Sequence, residues 1–397
     1  HRRAGSRDRF DGRQQQLPHD RTSNAPGEVR RHADAALSAD GCQISVLTSL
    51  SIENVRCIES ANLELDPRGT GIVGPNGAGK TSLLESIFFL AHGRSFRTSQ
   101  RAKLIGPKTS SARVVGSISL PDQRWITAGV EHGSGRTRAR LGGRDVAGIS
   151  EIAELLPVQV IEPGVHRLIE EGSVRRRGML NWGVFHVKHE FLVPWRRYQR
   201  ALAQRNAALR ANTDPRIWDS ELEVCAGEVD SLRRAYFEIL SAQFAELASS
   251  LLGQRCEIEY HRGWPDEKAI TEALRDARSR DLRLKTTTVG PHRADVIFRV
   301  DGAVARDRVS RGQQKVIASA FVLAQLLVST PHTDRRPCLL LDDPAAELDV
   351  DSLGKILRAI EQTPAQLIVT SLNPAGLRGI EIGKTFHVEQ GRFTAML

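Results

Sequence analysis

The chain has 397 residues, of which 40% are apolar and 26% are charged, and its formal net charge at pH 7 is +9. This composition predicts a globular protein with one large core and a smaller lobe, and it excludes a chain without a folded core. The positive charge favours a polyanionic partner. Because residues 1–40 contribute only +2, from eight arginines and six acids, most of the excess belongs to the part predicted to fold.

Membrane segments and disulfides are not predicted. We find no apolar run of about 18 residues, the length needed to span a bilayer. The cysteines show neither metal-ligand spacing nor even pairing, which favours reduced thiols and a cytoplasmic location. They are Cys42, Cys57, Cys225, Cys256 and Cys338.

Residues 1–45 are predicted to be disordered or to form a non-native extension. They are rich in Arg, Gln, Asp, Ala and Gly, lack hydrophobic periodicity, and contain no apolar core of a secretory signal. The chain begins with histidine, and its first methionine, Met179, lies inside the predicted fold. We therefore expect translation to start at or near Val46 from a non-standard start codon.

A phosphate-binding loop follows a short apolar strand at residues 71–73 and precedes a helix. Its glycines let successive backbone N–H groups turn toward phosphate oxygens. Lys80 is expected to reach the β- and γ-phosphates of a nucleotide and Thr81 to bind Mg²⁺, while the positive end of the helix faces the phosphates. The predicted nucleotide-binding residues are Gly74, Pro75, Asn76, Gly77, Ala78, Gly79, Lys80, Thr81 and Ser82.

Polar and apolar residues alternate over residues 116–146, with glycines at the turns, which predicts an antiparallel β meander. Arg136, Arg138 and Arg140 recur at every second position and therefore share one face of a strand. A solvated strand face would explain this row. A phosphate-binding surface is the alternative, because further cations lie nearby in the sequence. These are Arg94, Arg97, Arg101, Lys103 and Arg144.

Residues 182–285 have the pattern of long helices with few glycines. Apolar residues at alternating spacings of three and four, such as Leu222, Val229 and Tyr236, predict one face of a long helix. The polar residues at 212–215 predict a turn before it. The segment is therefore expected to form a helical hairpin, a stub of coiled coil whose second helix is about 50 Å long. An ordinary helical subdomain fits the same pattern.

Two further motifs lie toward the carboxyl end. Ser310 and Gly312 open a long apolar helix at residues 316–328, and their N–H groups would bind an anion or simply cap the helix. An apolar run at 337–341, typical of a buried parallel strand, ends in Asp342 and Asp343. Acids at a strand end are often only a loop cap. Beside a phosphate loop, Asp342 would hold Mg²⁺ through water and Asp343 would orient or deprotonate an attacking water.

In this order the motifs resemble the ATP-binding-cassette (ABC) class of ATPases and, in its SMC-like branch, the RecF family of recombination mediators. The resemblance runs from about residue 47 to 397 and includes LSIENVRCIES, GPNGAGKTSLLESI, PVQVIEPGVHRLIEEG, VGPHRAD, SRGQQK and LLLDDPAAELD. It implies an α/β fold: an ABC-type head with a mixed central sheet flanked by helices, an antiparallel β subdomain, and an inserted helical lobe. The expected parts are the head at 46–181, the lobe at 182–285 and the rest of the head at 286–397.

The resemblance also implies roles for individual residues. Gln159 matches the lid glutamine of the class, a ligand of Mg²⁺ and water. Arg56 matches an arginine near the phosphates, although an exposed arginine at a strand end is equally compatible. Residues 346–349 match a segment that crosses the dimer interface. The signature motif, which covers the γ-phosphate of ATP bound to a second copy, is matched by Ser310, Arg311, Gly312, Gln313 and Gln314.

Some residues depart from the pattern of the class or of the family. Asp343 is one methylene shorter than the glutamate of most cassette ATPases, as is usual for the RecF family, so slow hydrolysis is expected. Thr370 and Ser371 stand where the class often has a histidine at the γ-phosphate, and either hydroxyl could donate a weaker hydrogen bond. Asn181 stands where the family is expected to have aspartate.

The function implied by the resemblance is an ATP-gated DNA clamp for recombinational repair. It would form a homodimer on ATP, bind double-stranded and single-stranded DNA at gaps and junctions, and be reset by a weak DNA-dependent ATPase. The implied partners are RecR, with RecO and RecA in the pathway, and the cofactors are ATP and Mg²⁺.

The alternative to a DNA clamp is the ATPase subunit of an ABC transporter. It fits less well, because such subunits usually have a shorter insert, a glycine-richer signature, a glutamate as the second acid and a histidine after the last core strand. A relative with an added nuclease module is not favoured either, since the sequence has no further acidic or His/Asp cluster suited to two metal ions.

Overall fold

The computed structural model describes residues 45–122, 124–332, 335–346 and 349–396. The predicted disordered extension, residues 1–44 and with them Cys42, lies outside this part. The described strands are β1 (Val46–Val55), β2 (Ile58–Glu64), β3 (Gly69–Val73), β4 (Ser111–Ser119), β5 (Trp125–Gly133), β6 (Arg136–Leu141), β7 (Arg144–Asp145), β8 (Val158–Ile161), β9 (Cys256–His261), β10 (Asp295–Val300), β11 (Ala303–Val304), β12 (Cys338–Leu341), β13 (Gln366–Ser371), β14 (Lys384–Glu389) and β15 (Arg392–Met396). The described helices are α1 (Lys80–His92), α2 (Ser150–Leu155), α3 (Arg167–Glu170), α4 (Ser173–Val187), α5 (Leu192–Ala211), α6 (Asp219–Leu252), α7 (Ile270–Leu284), α8 (Ala305–Arg308), α9 (Arg311–Ser329) and α10 (Val350–Glu361).

The central sheet has six strands in the order β15-β14-β3-β13-β12-β8. All neighbours are parallel except β14 and β15, so the sheet is mixed, as expected. The predicted strand before Asp342 is β12, whose four residues are all buried between β13 and β8. Strands buried on both faces are apolar throughout, which explains the unbroken run of leucines in β12.

A second sheet, with the order β2-β1-β4-β5-β6-β7, is antiparallel and contains the predicted meander. Helix α1 packs between it and the central sheet, and the apolar side chains of all three elements form one core cluster that includes Leu50, Ile87 and Ile368. Gly142 and Gly143 at the β6–β7 turn have φ angles of 57° and 82°, a backbone region that favours glycine. The ABC-type α/β fold predicted from the sequence is confirmed.

The opposite face of the central sheet is covered by α9 and the helices of the insert. A turn at Asn212 separates α5 from α6, as predicted, and α6 has 34 residues. However, α6 packs not only against α5 but also against α9, in a cluster that includes Leu240, Phe244 and Phe321. The insert is therefore not a free coiled-coil stub but shares the core of the head.

The expected boundaries of the helical lobe fit the elements unequally. The boundary at 181/182 falls inside α4, whereas the boundary at 285/286 coincides with the end of α7. The segment between them also contains a strand, β9, which pairs with β10 in a small antiparallel sheet. The predicted domain limits therefore divide the chain at points across which the packing of side chains is continuous.

Helix α9 corrects the expectation that the chain has no apolar segment of membrane-spanning length. The helical stretch Arg311–His332 is long and apolar enough by composition, with a mean hydropathy of 1.2, but 72% of its apolar window is buried inside the protein. That burial is typical of a central core helix. The four described cysteines are free thiols, and Cys338 is buried in β12 as predicted.

A fully buried arginine joins the insert to the loop before β10. The Arg233 side chain, on α6, donates from Nε and Nη2 to Asn181 Oδ1 (3.1 and 2.8 Å) and from Nη1 to the Pro291 carbonyl (2.8 Å). It also lies 5.1 Å from the ring centre of Trp195. Position 181, where the resemblance led us to expect aspartate, therefore supplies a neutral acceptor to a buried cation.

We predict that Asn181→Asp stabilises the protein. A carboxylate would replace neutral hydrogen bonds to Arg233 by charge-assisted ones, and Asn181 is only partly buried, so the cost of burying the new charge is limited. The free energy of unfolding, measured by urea denaturation, should rise by about 1 kcal/mol. Asn181→Ala, which leaves Arg233 short of an acceptor, should lower it by about 1–3 kcal/mol. A less stable Asn181→Asp variant would contradict this account.

Candidate functional site

The phosphate-loop sequence forms the connection between β3 and α1. Its glycines are required at two points in particular. A Cβ atom on Gly74 would lie 2.2 Å from the Val388 carbonyl oxygen of the neighbouring strand β14. Gly79, immediately before α1, has a φ of 119°, which side-chain-bearing residues rarely adopt. The loop therefore keeps its backbone N–H groups at the amino end of α1, where an anion is favoured.

Lys80 is almost completely buried and folds over the loop. Its Nζ donates to the Gly74 carbonyl at 2.7 Å and the Pro75 carbonyl at 3.1 Å. An ammonium group held by carbonyl dipoles at the centre of such a loop is placed to receive phosphate oxygens as additional acceptors. The predicted position of Lys80 thus agrees with the geometry.

Two turns support the loop from outside. The Gly391 N–H, between β14 and β15, donates to the Ala78 carbonyl at 2.7 Å. On the other side, Cys57 Sγ and Ser82 Oγ lie 3.5 Å apart. The loop is therefore fixed by contacts to both sheets.

Arg56 is neither an exposed arginine nor a group in contact with the loop. Its Nε and Nη2 donate to the two carboxylate oxygens of Glu85, which is fully buried on α1, at 2.8 and 2.7 Å. The Ser95 hydroxyl donates to the same carboxylate. The hydrogen bond to Glu85 raises the pKa of Arg56. Arg56 therefore anchors α1 to the β1–β2 turn, and its role near the phosphates stays a prediction.

The predicted metal ligands Thr81 and Asp342 meet, although they are 261 positions apart in the chain. Thr81 Oγ1 lies 3.1 and 3.0 Å from the two carboxylate oxygens of Asp342, to which it donates. The Asp342 N–H donates to the Ile161 carbonyl of β8 at 3.0 Å, which fixes the strand end. A hydroxyl and a carboxylate beside a phosphate loop match the oxygen ligands that Mg²⁺ prefers, with water and phosphates completing the coordination. The described residues contain no cluster of three or more His, Cys, Asp or Glu side chains that would hold a metal ion without such additional ligands.

Thr370 ties the two acids together. This residue is fully buried in β13, and its Oγ1 donates to Asp342 Oδ1 (2.8 Å). Thr370 Oγ1 also accepts from the Asp343 N–H (3.0 Å). Ser371, which is also buried, donates to the Asn373 carbonyl at 2.9 Å. Both hydroxyls that we considered for the γ-phosphate are thus engaged within the protein. The contact by which Thr370 positions Asp342 was not predicted from the sequence.

Asp343 occupies a backbone conformation that is costly for a residue with a side chain. Its φ angle is 42°, in the left-handed region. Such conformations cost about 1–3 kcal/mol and persist only where the surroundings enforce them. The hydrogen bond from its N–H to Thr370 is one such constraint, and the predicted water-activating carboxylate therefore stands on a fixed, strained turn directly after Asp342.

Gln159 is not brought to the phosphate loop. It lies within β8, paired with Leu339, and its buried side chain donates from Nε2 to Gln325 Oε1 of α9 at 3.1 Å. Side chains alternate across a strand, and Gln159 points to the face covered by α9, whereas α1 covers the other face. The structure therefore does not support its predicted roles in catalysis and metal binding.

Glu162, which the sequence analysis missed, lies where β8 ends beside Asp342. Its carboxylate receives Arg167 Nη2 at 2.8 Å and lies 3.8 Å from Arg175 Nη1. Burial raises the pKa of Glu162, the two arginines lower it, and the negative charge of Asp342 raises it. A signal was present in the sequence, because an acid at the carboxyl end of a parallel strand faces the ligand edge of such sheets.

The signature-like residues form an exposed amino end of α9. Ser310 Oγ accepts from the Gln313 N–H at 3.3 Å, and the Gln313 side chain accepts from the Ser310 N–H at 3.0 Å, a reciprocal capping box. Ser310, Arg311 and Gly312 are exposed. These residues are thus presented to the outside by a helix whose remainder is buried.

The segment predicted to cross a dimer interface is described only in part. Glu347 and Leu348 lie outside the described residues. Asp349 caps α10 by accepting from the Ser352 N–H at 2.9 Å, and these hydrogen bonds lower its pKa. The start of α10 is therefore fixed, and its first residue, Val350, is 86% exposed.

Comparison with known proteins identifies the family. Residues 46–392 match the family model described as "RecF/RecN/SMC N terminal domain". The chain is 38% identical over 353 residues to the DNA replication and repair protein RecF of Edwardsiella ictaluri, covering 87% of this chain and 99% of that protein. It is 36% identical over 362 residues to RecF of Stutzerimonas stutzeri, covering 88% and 97%. The chain belongs to the RecF family.

Solved structures agree with this RecF assignment at the level of the fold. A structure described as the recombination mediator protein RecF with ATP superposes with a TM-score of 0.81 at 23% identity and covers 92% of this chain and 100% of its own. The Smc head domain from Pyrococcus furiosus, bound to the C-terminal domain of ScpA, gives 0.55 at 17% identity, with coverages of 89% and 96%. The RecF assignment removes the support for a transporter subunit.

We predict that the hydroxyl of Thr370 stabilises this RecF-family fold through the two acids. Thr370→Val keeps the shape of the side chain but removes the acceptor of the Asp343 N–H and one of the two donors to Asp342 Oδ1, so the free energy of unfolding should fall by about 1–3 kcal/mol. Ser371→Ala is the matched control, because it removes a neighbouring buried hydroxyl that contacts only a loop carbonyl, and it should cost less. Equal losses in urea denaturation would show that Thr370 has no special role.

Proposed function

We propose that this protein is an ATP-gated DNA clamp of recombinational repair. The observation that carries the proposal is the meeting of Thr81 with Asp342 at a formed phosphate loop, while the signature-like end of α9 is exposed. Half of an ATP site is thus assembled within one chain. The other half, Ser310 with its neighbours, is oriented for a second copy.

The proposed cycle assigns a step to each of these groups. ATP binds with its phosphates on the loop and Lys80, and Thr81 and Asp342 hold its Mg²⁺. Residues Ser310, Arg311, Gly312 and Gln313 of a second copy close over the γ-phosphate, which joins two subunits around DNA. Asp343 then orients or deprotonates the attacking water, and hydrolysis releases the dimer.

Slow, DNA-dependent hydrolysis suits such a switch. The Asp343 carboxylate is on a shorter side chain than the usual glutamate, and its backbone is fixed by Thr370.

The proposed location is the cytoplasm. The proposed partners are double- and single-stranded DNA at gaps, and RecR with RecO and RecA. A RecF structure described as belonging to the RecFOR pathway supports RecO and RecR among them.

We predict that mixing two inactive variants restores hydrolysis. Lys80→Ala destroys the loop half of the site and Ser310→Arg blocks the signature half, so each variant alone should lose ATP-dependent dimerisation and ATPase activity. In a mixed dimer, the intact loop of one copy meets the intact signature of the other. Because neither variant dimerises with itself, the dimers that form are mixed and each has one intact site of two, so activity should return to at most about half of wild type.

Ser279→Arg is the matched control for this experiment, since it makes the same change at an exposed serine on α7. It should dimerise and hydrolyse ATP like wild type. No recovery on mixing would mean that the site is not shared between copies. The clamp itself is tested by DNA binding with ATP, with ADP and without nucleotide, and equal binding in all three states would refute it.

We further predict that Glu162 adjusts the metal site. Glu162→Gln removes a negative charge beside Asp342, so a higher Mg²⁺ concentration should be needed for half-maximal hydrolysis, and the maximal rate should fall several-fold. Glu171→Gln is the control, because Glu171 also pairs with Arg175, at 3.1 Å, but is exposed. Measuring ATPase rates across a Mg²⁺ titration separates the two effects, and identical titrations for wild type and both variants would exclude this role.

A further inference from the structure

A second cleft lies at the other end of the phosphate-loop helix. It has a volume of about 400 Å³ and is formed by the carboxyl end of α1, the edge strands β6 and β7, and the segment that leads to α2. Ligand sites typically have volumes of about 300–1,000 Å³, so the cleft has room for a unit the size of a nucleotide. None of the residues assigned to the ATP site lines it.

Arginines from separate parts of the chain converge on this cleft. Arg101 lines it, and Arg138 is a lining residue whose side chain shares the outer face of β6 with Arg136 and Arg140. Arg196, from α5, reaches its edge and donates to Ser150 Oγ at 2.7 Å. Arg94 lies close by, and partial burial and then the charges of Arg175 and Arg101 lower its pKa. Several cations held near one another in this way favour an anionic ligand.

The groups near the cleft that could repel an anion carry only a partial charge or are already paired with a cation. Asp145, the acid in the lining, forms an ion pair with Arg140 at 2.6 Å. His92 donates from Nε2 to the Val158 carbonyl (3.0 Å), and burial lowers its pKa to about 4, so it is neutral at pH 7. The carboxyl end of α1 has a partial negative charge, which places an anion at the arginines and not against the helix end.

The rest of the lining is apolar. Ala139, Val146 and Ile149 contribute their side chains, and Gly93 leaves the end of α1 open. A ligand that fits both halves has a flat, weakly polar part and a phosphate, which is the chemistry of a nucleotide. Because a paired base is stacked inside a duplex, a base can enter such a cleft only from an unpaired strand.

The surroundings favour a strand over a free nucleotide. Arg136, Arg138 and Arg140 stand at every second residue of β6 and form an exposed row on its outer face. The positive surface therefore continues beyond the cleft. Phosphates adjacent to the bound nucleotide would meet this row. We propose that the cleft binds one unpaired nucleotide of a DNA strand, with its base between α1 and β6 and its phosphate on Arg101 and Arg196. This rests on the proposed DNA-binding function.

The test compares two ways of blocking the cleft. Arg101→Ala combined with Arg196→Ala removes the phosphate contacts, and Ala139→Trp fills the apolar half without changing the charge. Arg216→Ala combined with Arg255→Ala is the control, since it removes the same charge from exposed arginines that pair with Asp214 and Glu257 elsewhere. Thermal unfolding of each variant checks that it is folded.

Binding of a fluorescent 12-residue oligothymidine is measured by anisotropy with ATP over a range of salt concentrations. We expect both cleft variants to bind at least about tenfold more weakly than wild type and the control. In the double-arginine variant, the slope of log affinity against log salt should also fall by about 0.7, since Arg101 and Arg196 contact one phosphate and each single-strand phosphate contact contributes about 0.7. Blunt duplex of the same length should be bound equally by wild type and Ala139→Trp.

Photocrosslinking places the strand independently. An oligonucleotide with iodo-substituted uracils should crosslink to peptides that contain residues 92–93 or 137–149. If wild type binds DNA but the cleft variants match the control, or the crosslinks lie elsewhere, the cleft assignment alone is overturned. If wild type binds no DNA in any nucleotide state, the proposed function fails and the cleft assignment fails with it. A further outcome would also overturn the cleft assignment. If millimolar thymidine monophosphate displaces the oligonucleotide from wild type, and the double-arginine variant binds the oligonucleotide as tightly as wild type, the cleft is a site for a free nucleotide.

Discussion

The contact between Thr81 and Asp342 is the constraint on which the arrangement of this protein depends. It joins the start of α1 to the end of β12 across 261 positions of sequence, and everything between them must be accommodated without disturbing it. The parallel register of β3, β13, β12 and β8 makes this possible, since it brings four strand ends to one edge. Thr370 and Glu162 lie at that edge for the same reason.

Local patterns predicted most of the fold and half of the site. The loop, the strand before Asp342, the capped start of α9 and the meander each have a signature within about fifteen residues, because backbone geometry and burial act locally there. What the sequence could not reveal was orientation. Gln159 and Glu162 are three residues apart in the same short segment, and only the pairing of β8 with β12 shows which of them reaches the sheet edge.

The surroundings of the helical insert could not be predicted for a related reason, although its helices and the turn between them were. The apolar stripe of α6 is the same whether its partner is a second helix of a coiled coil or the core of the head, since periodicity gives the face that is buried but not what covers it. In the structure α9 covers it, and buried polar groups such as Arg233 with Asn181 fix how the helices meet. The insert therefore holds the helix that presents Ser310, and in this way it helps to position a part of the site.

The burial of α9 also has a consequence for how the chain is made. A helix this apolar is a hazard while it is unpacked, because it can aggregate or engage other hydrophobic surfaces. Synthesis proceeds from the amino end, so α6, residues 219–252, has left the ribosome before residues 311–329 of α9 follow. The position of the insert upstream of the signature helix thus supplies a hydrophobic partner at the moment when this long apolar helix emerges.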